Sequence, residues 1–206
     1  FEQYLGLDET NVQIPDLGGR IELKATRRNS GSLITLFTFN RGVWKVRPKE
    51  VIHKYGYYSQ KDNRMALYCS IYPYQPHPSG LELVVDRSNN TLKLKHDEEE
   101  LAIWSIYRLV GALLYKLGKI LFVIADSRTA DNIVGENDIE EFHFNEAYLL
   151  EDPSEEGFIQ AFENSRVCLD IRMHIKENGS VRNHGTGFRI KEDELYMLFS
   201  TKRKLL

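Results

Sequence analysis

From Arg166 to Lys176 the sequence alternates almost without a break. Val167, Leu169, Ile171, Met173 and Ile175 are apolar, and Arg166, Asp170, Arg172, His174 and Lys176 are polar or charged. Period two over ten residues demands a strand with one apolar face, because a helix cannot gather these side chains on one side. Asn178-Gly179 follows, a pair that tolerates positive φ at both central positions of a two-residue turn, so the spacing predicts a hairpin across residues 166–190. In that register paired residue numbers sum to 357, so Cys168 faces Arg189, Arg172 faces Gly185, and Arg172 and Arg189 share the polar face. His184 falls opposite Met173 on the apolar face, unless Gly185 or Gly187 sits in a bulge.

A chain that ends in such a hairpin is expected to be β-rich elsewhere. Residues 20–26 and 32–39 read as strands, with Ser30-Gly31 suited to a hairpin turn between them. Residues 48–55 read as a short helix with Pro48 in its first turn, and 67–72 as a strand. Residues 81–86 and 91–96 alternate around Ser88-Asn89-Asn90 and form a second predicted hairpin. Acidic residues 97–100, followed by Leu101, Trp104, Ile106, Leu109, Leu113 and Leu117 at helical spacing, predict a helix that ends at Gly118. Residues 119–125 read as a strand buried on both faces, 142–150 as another, and 154–164 as a helix capped by Ser154. No repeat or linker-like stretch interrupts this, and the expectation is one α/β domain, residues 1–206, with a mixed sheet.

The formal net charge of −3 disguises an asymmetry. Residues 129–165 hold 11 Asp or Glu and no Lys or Arg, and outside them 27 basic residues stand against 19 acidic ones. The remainder can offer phosphates a cationic surface, although a solvated acidic face with no partner explains the same imbalance. Cys69 and Cys168 have no metal or redox spacing and read as free thiols in a reducing compartment. No apolar run reaches ~18 residues, so no membrane partner is expected.

Chemistry is concentrated near the start. In Ile14-Pro15-Asp16-Leu17-Gly18-Gly19-Arg20-Ile21-Glu22-Leu23-Lys24, Asp16 sits at a turn, and Glu22 and Lys24 share one face of a predicted strand. Two carboxylates and an ammonium at one point suit Mg²⁺-dependent phosphodiester hydrolysis, since carboxylate oxygens hold a hard cation that retains several waters. A solvated salt bridge is the bland reading of Glu22 and Lys24. A two-stranded ribbon with guanidinium groups on one side also fits the DNA major groove, where Arg pairs bidentately with guanine, although an ordinary surface hairpin with solvated charges explains the same pattern.

Taken together, Pro15-Asp16, Glu22-Leu23-Lys24, residues 33–38, Asp170-Ile171-Arg172 and His184-Gly185-Thr186-Gly187-Phe188-Arg189-Ile190 resemble the MvaI/BcnI family of Type II restriction endonucleases. These are relatives of the mismatch-repair nicking enzyme MutH within the PD-(D/E)xK nuclease fold. Residues 1–5, Lys54-Tyr55-Gly56 and the passage from Ile103-Trp104-Ser105 to Val123-Ile124-Ala125 extend the likeness along most of the chain. The resemblance implies Asp16 and Glu22 as metal ligands, Lys24 as catalytic lysine and Glu2 as an auxiliary acid. It also implies Arg172, His184 and Arg189 as base-reading residues. An enzyme of this kind would bind double-stranded DNA as a monomer and use Mg²⁺ to cut both strands at a short G·C-rich site of the CCNGG type. It would act in the cytoplasm of a prokaryote beside a cognate methyltransferase, in a chain that continues upstream of Phe1 into an effector or DNA-binding domain. A MutH-like nicking enzyme and a catalytically silent DNA-binding module are the alternatives, and the second conflicts with the presence of Asp16, Glu22 and Lys24 together.

His53, His77, His96, His143 and His174 show no metal-ligand spacing with the cysteines and read as surface or satisfied histidines. Ser127 lacks the partners of a nucleophile. Residues 202–204, Lys-Arg-Lys, read as a solvated terminus or a phosphate contact, and Tyr55, Tyr57 and Tyr58 as core residues.

Overall fold

The computed structural model describes residues 1–7, 14–129 and 140–206. Along the chain come β1 (Glu22–Arg27), β2 (Leu33–Thr38), α1 (Pro48–Tyr55), β3 (Tyr57–Ser59) and β4 (Arg64–Ile71). Next are β5 (Leu81–Asp86), β6 (Thr91–His96), β7 (Glu99–Ser105) and α2 (Ile106–Lys116). The second half adds β8 (Lys119–Thr129), β9 (Glu140–Pro153), α3 (Glu155–Glu163) and β10 (Val167–Ile175). It closes with β11 (Val181–Asn183), β12 (Gly187–Lys191) and β13 (Phe199–Lys204). Short 3₁₀ helices cover Glu2–Leu5 and Glu192–Leu198.

The expected mixed sheet is the four-stranded one, ordered β1-β8-β9-β13, in which β1 runs parallel to β8 and the other pairings are antiparallel. Two further sheets are antiparallel: a six-stranded one along β2-β12-β10-β4-β3 with β11 on β10, and the meander β5-β6-β7. A shared core joins them, with Leu36, Ile52, Trp104, Phe122, Phe158 and Phe188 almost wholly buried. In α3, Ser154 caps as expected, its Oγ accepting the Gly157 N–H at 3.0 Å.

Several sequence expectations are corrected. Ser30-Gly31 does not turn a hairpin, because β1 and β2 belong to different sheets and the segment carries the chain between them. Residues 97–117 are not one helix. Asp97 adopts φ 48° and turns the chain, so β7 returns along β6 and α2 begins only at Ile106. The acidic run that imitates a helix start instead meets lysines from neighbouring elements, with Lys93 2.9 Å from Glu100 and Lys54 3.0 Å from Glu99. Trp104 is fixed by donating its indole N–H to the Phe39 carbonyl at 2.7 Å.

Tyr57 and Tyr58, expected in the core, stand exposed, because β3 is an edge strand with one neighbour. Residues 202–204 are solvent-exposed as expected, although they lie in β13, and the Lys202 ammonium sits over the rings of Tyr196 and Tyr148 at 3.4 and 4.3 Å. The acidic stretch is largely neutralised where it is described. Glu140, Glu141, Glu146 and Glu151 of β9 pair with Arg27, Arg128, Arg28 and Lys119, and Glu156 and Glu163 pair with Arg87. Asp131, Glu136 and Asp138 lie outside the described residues.

Candidate active site

A tight turn assembles the acidic motif. Gly18 and Gly19 both take positive φ, 58° and 68°, a conformation that other residues adopt only with strain. The turn pairs Leu17 with Ile21 through two backbone hydrogen bonds, of 2.9 and 3.3 Å. One residue outward in that register, Asp16 comes opposite Glu22. Asp16 is held there because its Oδ2 accepts the Leu23 N–H at 2.8 Å.

Glu22 opens β1 and is only 2% exposed, a burial that an isolated carboxylate could not sustain. Lys24, two residues along the same face, donates to its Oε1 at 2.6 Å. On the other side the Lys116 ammonium, from the last turn of α2, lies 2.7 Å from Oε2 and donates to the Ile14 carbonyl at 2.9 Å. The Lys116–Oε2 contact is an ion pair outside hydrogen-bond geometry, so Oε2 is buried without a hydrogen-bond partner. Glu2 stands apart in the first 3₁₀ helix, lining with Phe1, Gln3, Leu23 and Ala25 a cavity of about 310 Å³ beside β1. Among the described residues no three His, Cys, Asp or Glu gather into a metal cluster. The site offers the pair Asp16 and Glu22, and Mg²⁺ is commonly held by one or two carboxylates and several waters.

The predicted polar face of the hairpin is real. Cys168 pairs with Arg189 as the sequence implies. Asp170, fully buried, draws both arginines together: Arg172 Nε donates to its Oδ2 at 2.7 Å, and Arg189 Nε lies 2.8 Å from the same oxygen. Ser70 donates to Oδ1 at 2.7 Å. Both arginine side chains stay partly exposed, 43% for Arg172 and 26% for Arg189.

Toward the tip the register differs from the prediction. Met173 pairs with Asn183, His174 with Arg182 and Ile175 with Val181, one residue out of step with the base. The turn spans three residues, with the Lys176 N–H donating to the Ser180 carbonyl and only Gly179 taking positive φ, 76°. The surplus residue is absorbed around Gly185, at φ 99°. The bulge moves His184 off the apolar face and packs it against His174, the rings tilted by 31° with centroids 4.8 Å apart. Nor is the hairpin a free ribbon, because β4 covers the other edge of β10 from Leu169 to His174.

His174 is buried and is the satisfied histidine that the sequence allowed for. Its Nε2 lies 3.3 Å from Arg64 Nη1 and its Nδ1 2.9 Å from the Tyr68 hydroxyl. Arginine can only donate, so Nε2 accepts and the neutral ring donates from Nδ1 to Tyr68. Burial, and then nearby cations such as Arg64 and Arg182, holds His174 and His184 below the usual imidazole range. A cavity of about 620 Å³ opens here, between the hairpin tip, Asp62–Met65 and His53. The two cysteines are free thiols, and burial pushes Cys69 up to about 12 and Cys168 up to about 11.

Sequence reasoning missed Lys116 and Asp170. Lys116 reads locally as a cation favoured at a helix C-terminus, and nothing in sequence links it to Glu22. Asp170 had a signal: an acid on the same strand face as Arg172, two residues away.

A mixed sheet bearing an Asp…Glu-x-Lys edge, beside an arginine-bearing antiparallel sheet, is the arrangement of a PD-(D/E)xK-type nuclease. Two solved structures agree with that fold. One, described as the restriction endonuclease MvaI in complex with cognate DNA substrate, superimposes with TM-score 0.79 at 23% identity, covering 100% of this chain and 85% of that one. Another, MvaI in the absence of DNA, gives TM-score 0.60 at 20% identity, covering 100% and 83%. No curated protein sequence matches significantly. The family model of the MvaI/BcnI restriction endonuclease family matches residues 1–199, and the chain belongs to that family of Type II restriction endonucleases. Such enzymes generally use divalent metal ions.

Proposed function

We propose that this protein is a Mg²⁺-dependent endonuclease that cuts both strands of duplex DNA at a short G·C-rich site of the CCNGG type. The observation that carries the reading is Glu22: a buried carboxylate beside Asp16 and Lys24, whose second oxygen already faces a cation, the Lys116 ammonium at 2.7 Å. Such an oxygen fits a cation ligand, and Asp16 and Glu22 would hold the ion. A divalent ion there supplies charge neutralisation at the phosphate and a more acidic water. Lys24, tied to Glu22, places an ammonium where negative charge grows during attack on phosphorus. Glu2, across the neighbouring cavity, is the auxiliary acid of this reading.

Specificity falls to the other sheet. Arg172 and Arg189 each present a donor edge suited to O6 and N7 of guanine, and two such forks suit two G·C pairs. His184, neutral and packed against His174, reads the base pair between them. MvaI has been solved with a cognate DNA substrate, which supports DNA as the ligand here. We extend the proposal to a monomer built as one nuclease domain in a prokaryotic cytoplasm, paired with a methyltransferase.

The test is digestion of unmethylated phage DNA with Mg²⁺, followed by sequencing of the ends. Discrete double-strand ends at one G·C-rich motif are expected. A supercoiled plasmid that stops at the open circle would assign a nicking enzyme instead, and absence of cleavage in any divalent ion would leave a binding module.

A further inference from the structure

Glu22 holds more positive charge than a single carboxylate needs. Lys24 lies 2.6 Å from one oxygen and Lys116 2.7 Å from the other, while Asp16 stands beside them on the Leu23 N–H. Two carboxylates and two ammoniums sum to zero. A metal-binding pair is thus electrically satisfied before any metal arrives, and its unbonded oxygen, Glu22 Oε2, is the one that Lys116 faces.

The two lysines are not equivalent. Lys24 is on β1 with Glu22 and makes a hydrogen bond to it. Lys116 reaches in from the end of α2, is 18% exposed, and gives its hydrogen bond to the Ile14 carbonyl instead. Its ammonium is shared between that carbonyl and Oε2, and a lysine stem is flexible enough to withdraw from the carboxylate. The Ile14 bond can persist as it does so, keeping the turn before Asp16 in place.

We propose that Lys116 is a positioning residue that acts as a placeholder cation: it neutralises Glu22 in the metal-free protein and holds down metal affinity until DNA is bound. The inference rests on Asp16 and Glu22 being the metal ligands. With Lys116 present, a dication enters a neutral site and gains little. Once duplex DNA brings phosphate charge to the site, the same ion is attracted, so metal and DNA bind cooperatively. A protein that binds its metal only with DNA has no loaded site with which to cut at random encounters.

Mn²⁺, another oxygen-preferring dication, is a suitable probe, titrated into the DNA-free protein and followed by the paramagnetic signal of the free ion. Lys116→Gln is expected to bind Mn²⁺ about tenfold or more tightly than the parent, since a unit charge a few ångströms from the ion is removed. Lys116→Arg keeps the charge and should bind as the parent does. If Lys116 only pins the turn, Lys116→Gln will bind Mn²⁺ equally or more weakly, and the inference is overturned. Lys116→Met, which keeps the stem and its packing, carries the same expectation should the glutamine variant unfold, with thermal melting reporting the fold of each. Glu22→Gln, made in the parent and in Lys116→Gln, separates the two claims. If it leaves Mn²⁺ binding unchanged in the background that binds the ion, the metal assignment itself falls; if it abolishes binding while Lys116→Gln alone binds as the parent does, only the placeholder falls.

Discussion

Two buried carboxylates anchor the two working regions, and each faces two cations. Glu22, at the edge of the mixed sheet, meets two lysines; Asp170, in the middle of the six-stranded sheet, meets two arginines. The charge count is the same and the outcome differs. Asp170 accepts hydrogen bonds from Ser70 on one oxygen and from Arg172 Nε on the other, where Arg189 Nε adds an ion pair at 2.8 Å, and a planar guanidinium fixes the direction of its donors. Glu22 instead meets two ammonium groups, compact point charges on flexible stems. A rigid pair suits reading, where geometry discriminates, and a looser one suits an ion that must come and go.

The strongest way to sharpen that contrast is to disable one region alone. Glu22→Gln or Lys24→Ala should lower cleavage by roughly three orders of magnitude, which is ~4 kcal/mol of barrier, while duplex affinity in Ca²⁺ stays near the parent's. Plasmid cleavage within about tenfold of the parent for both variants would break the assignment. Next in size is Asp170→Asn, which leaves two guanidiniums without a counter-charge. A loss of about 3 kcal/mol is expected, the low end of the range for a broken buried pair because Arg172 is partly exposed. Calorimetry should show a melting temperature roughly 10 °C lower, and an unchanged one would mean that Asp170 does not hold the arginines.

Replacing Arg172 or Arg189 by Ala should cost about 1–3 kcal/mol on the cognate site and relax discrimination at a single base pair. Competition binding against every single-base variant decides it, since a uniform loss would mean that these arginines only position the protein. The smallest effect concerns His174. Its imidazole is held below the unfolded value of about 6.5, so the native state favours the neutral ring. That contribution is complete above the unfolded value and is lost as pH falls through the lower folded one. Thermal stability should therefore decline from about pH 6.5 downward, and His174→Gln should flatten the decline. Equal slopes for parent and variant would remove His174 from the account.

Local patterns carried much of this into the sequence. The ends of α1 and of the β5–β6 hairpin and the Ser154 cap all follow from short-range rules, whereas the Cys168–Arg189 pairing holds because the three-residue turn and the surplus residue near Gly185 cancel. Asp16, Glu22 and Lys24 are legible for the same reason, being one turn and one strand apart. Long-range partners were invisible. Lys116 lies 94 residues from Glu22 in sequence, and only the packing of α2 beside β1 brings them together. The 97–117 segment failed through competition, since its helical spacing holds but a left-handed Asp97 and the pairing along β6 outweigh it. The hairpin register failed by one residue because Asn178-Gly179 allows a two-residue turn without enforcing it, and Gly185 can absorb the surplus.

The Gly18-Gly19 turn also governs how motifs of this kind can be found. Asp16 meets Glu22 because Leu17 pairs with Ile21, and the residues inside the turn only close the loop. A turn one residue longer or shorter that preserved this pairing would leave Asp16 and Glu22 opposite each other in the same register. The count of residues between them is therefore a property of the connector, free to drift between relatives whose chemistry is unchanged. A pattern search with a fixed interval will pass over such relatives; one that asks for an acid beside a turn-closing pair will recover them.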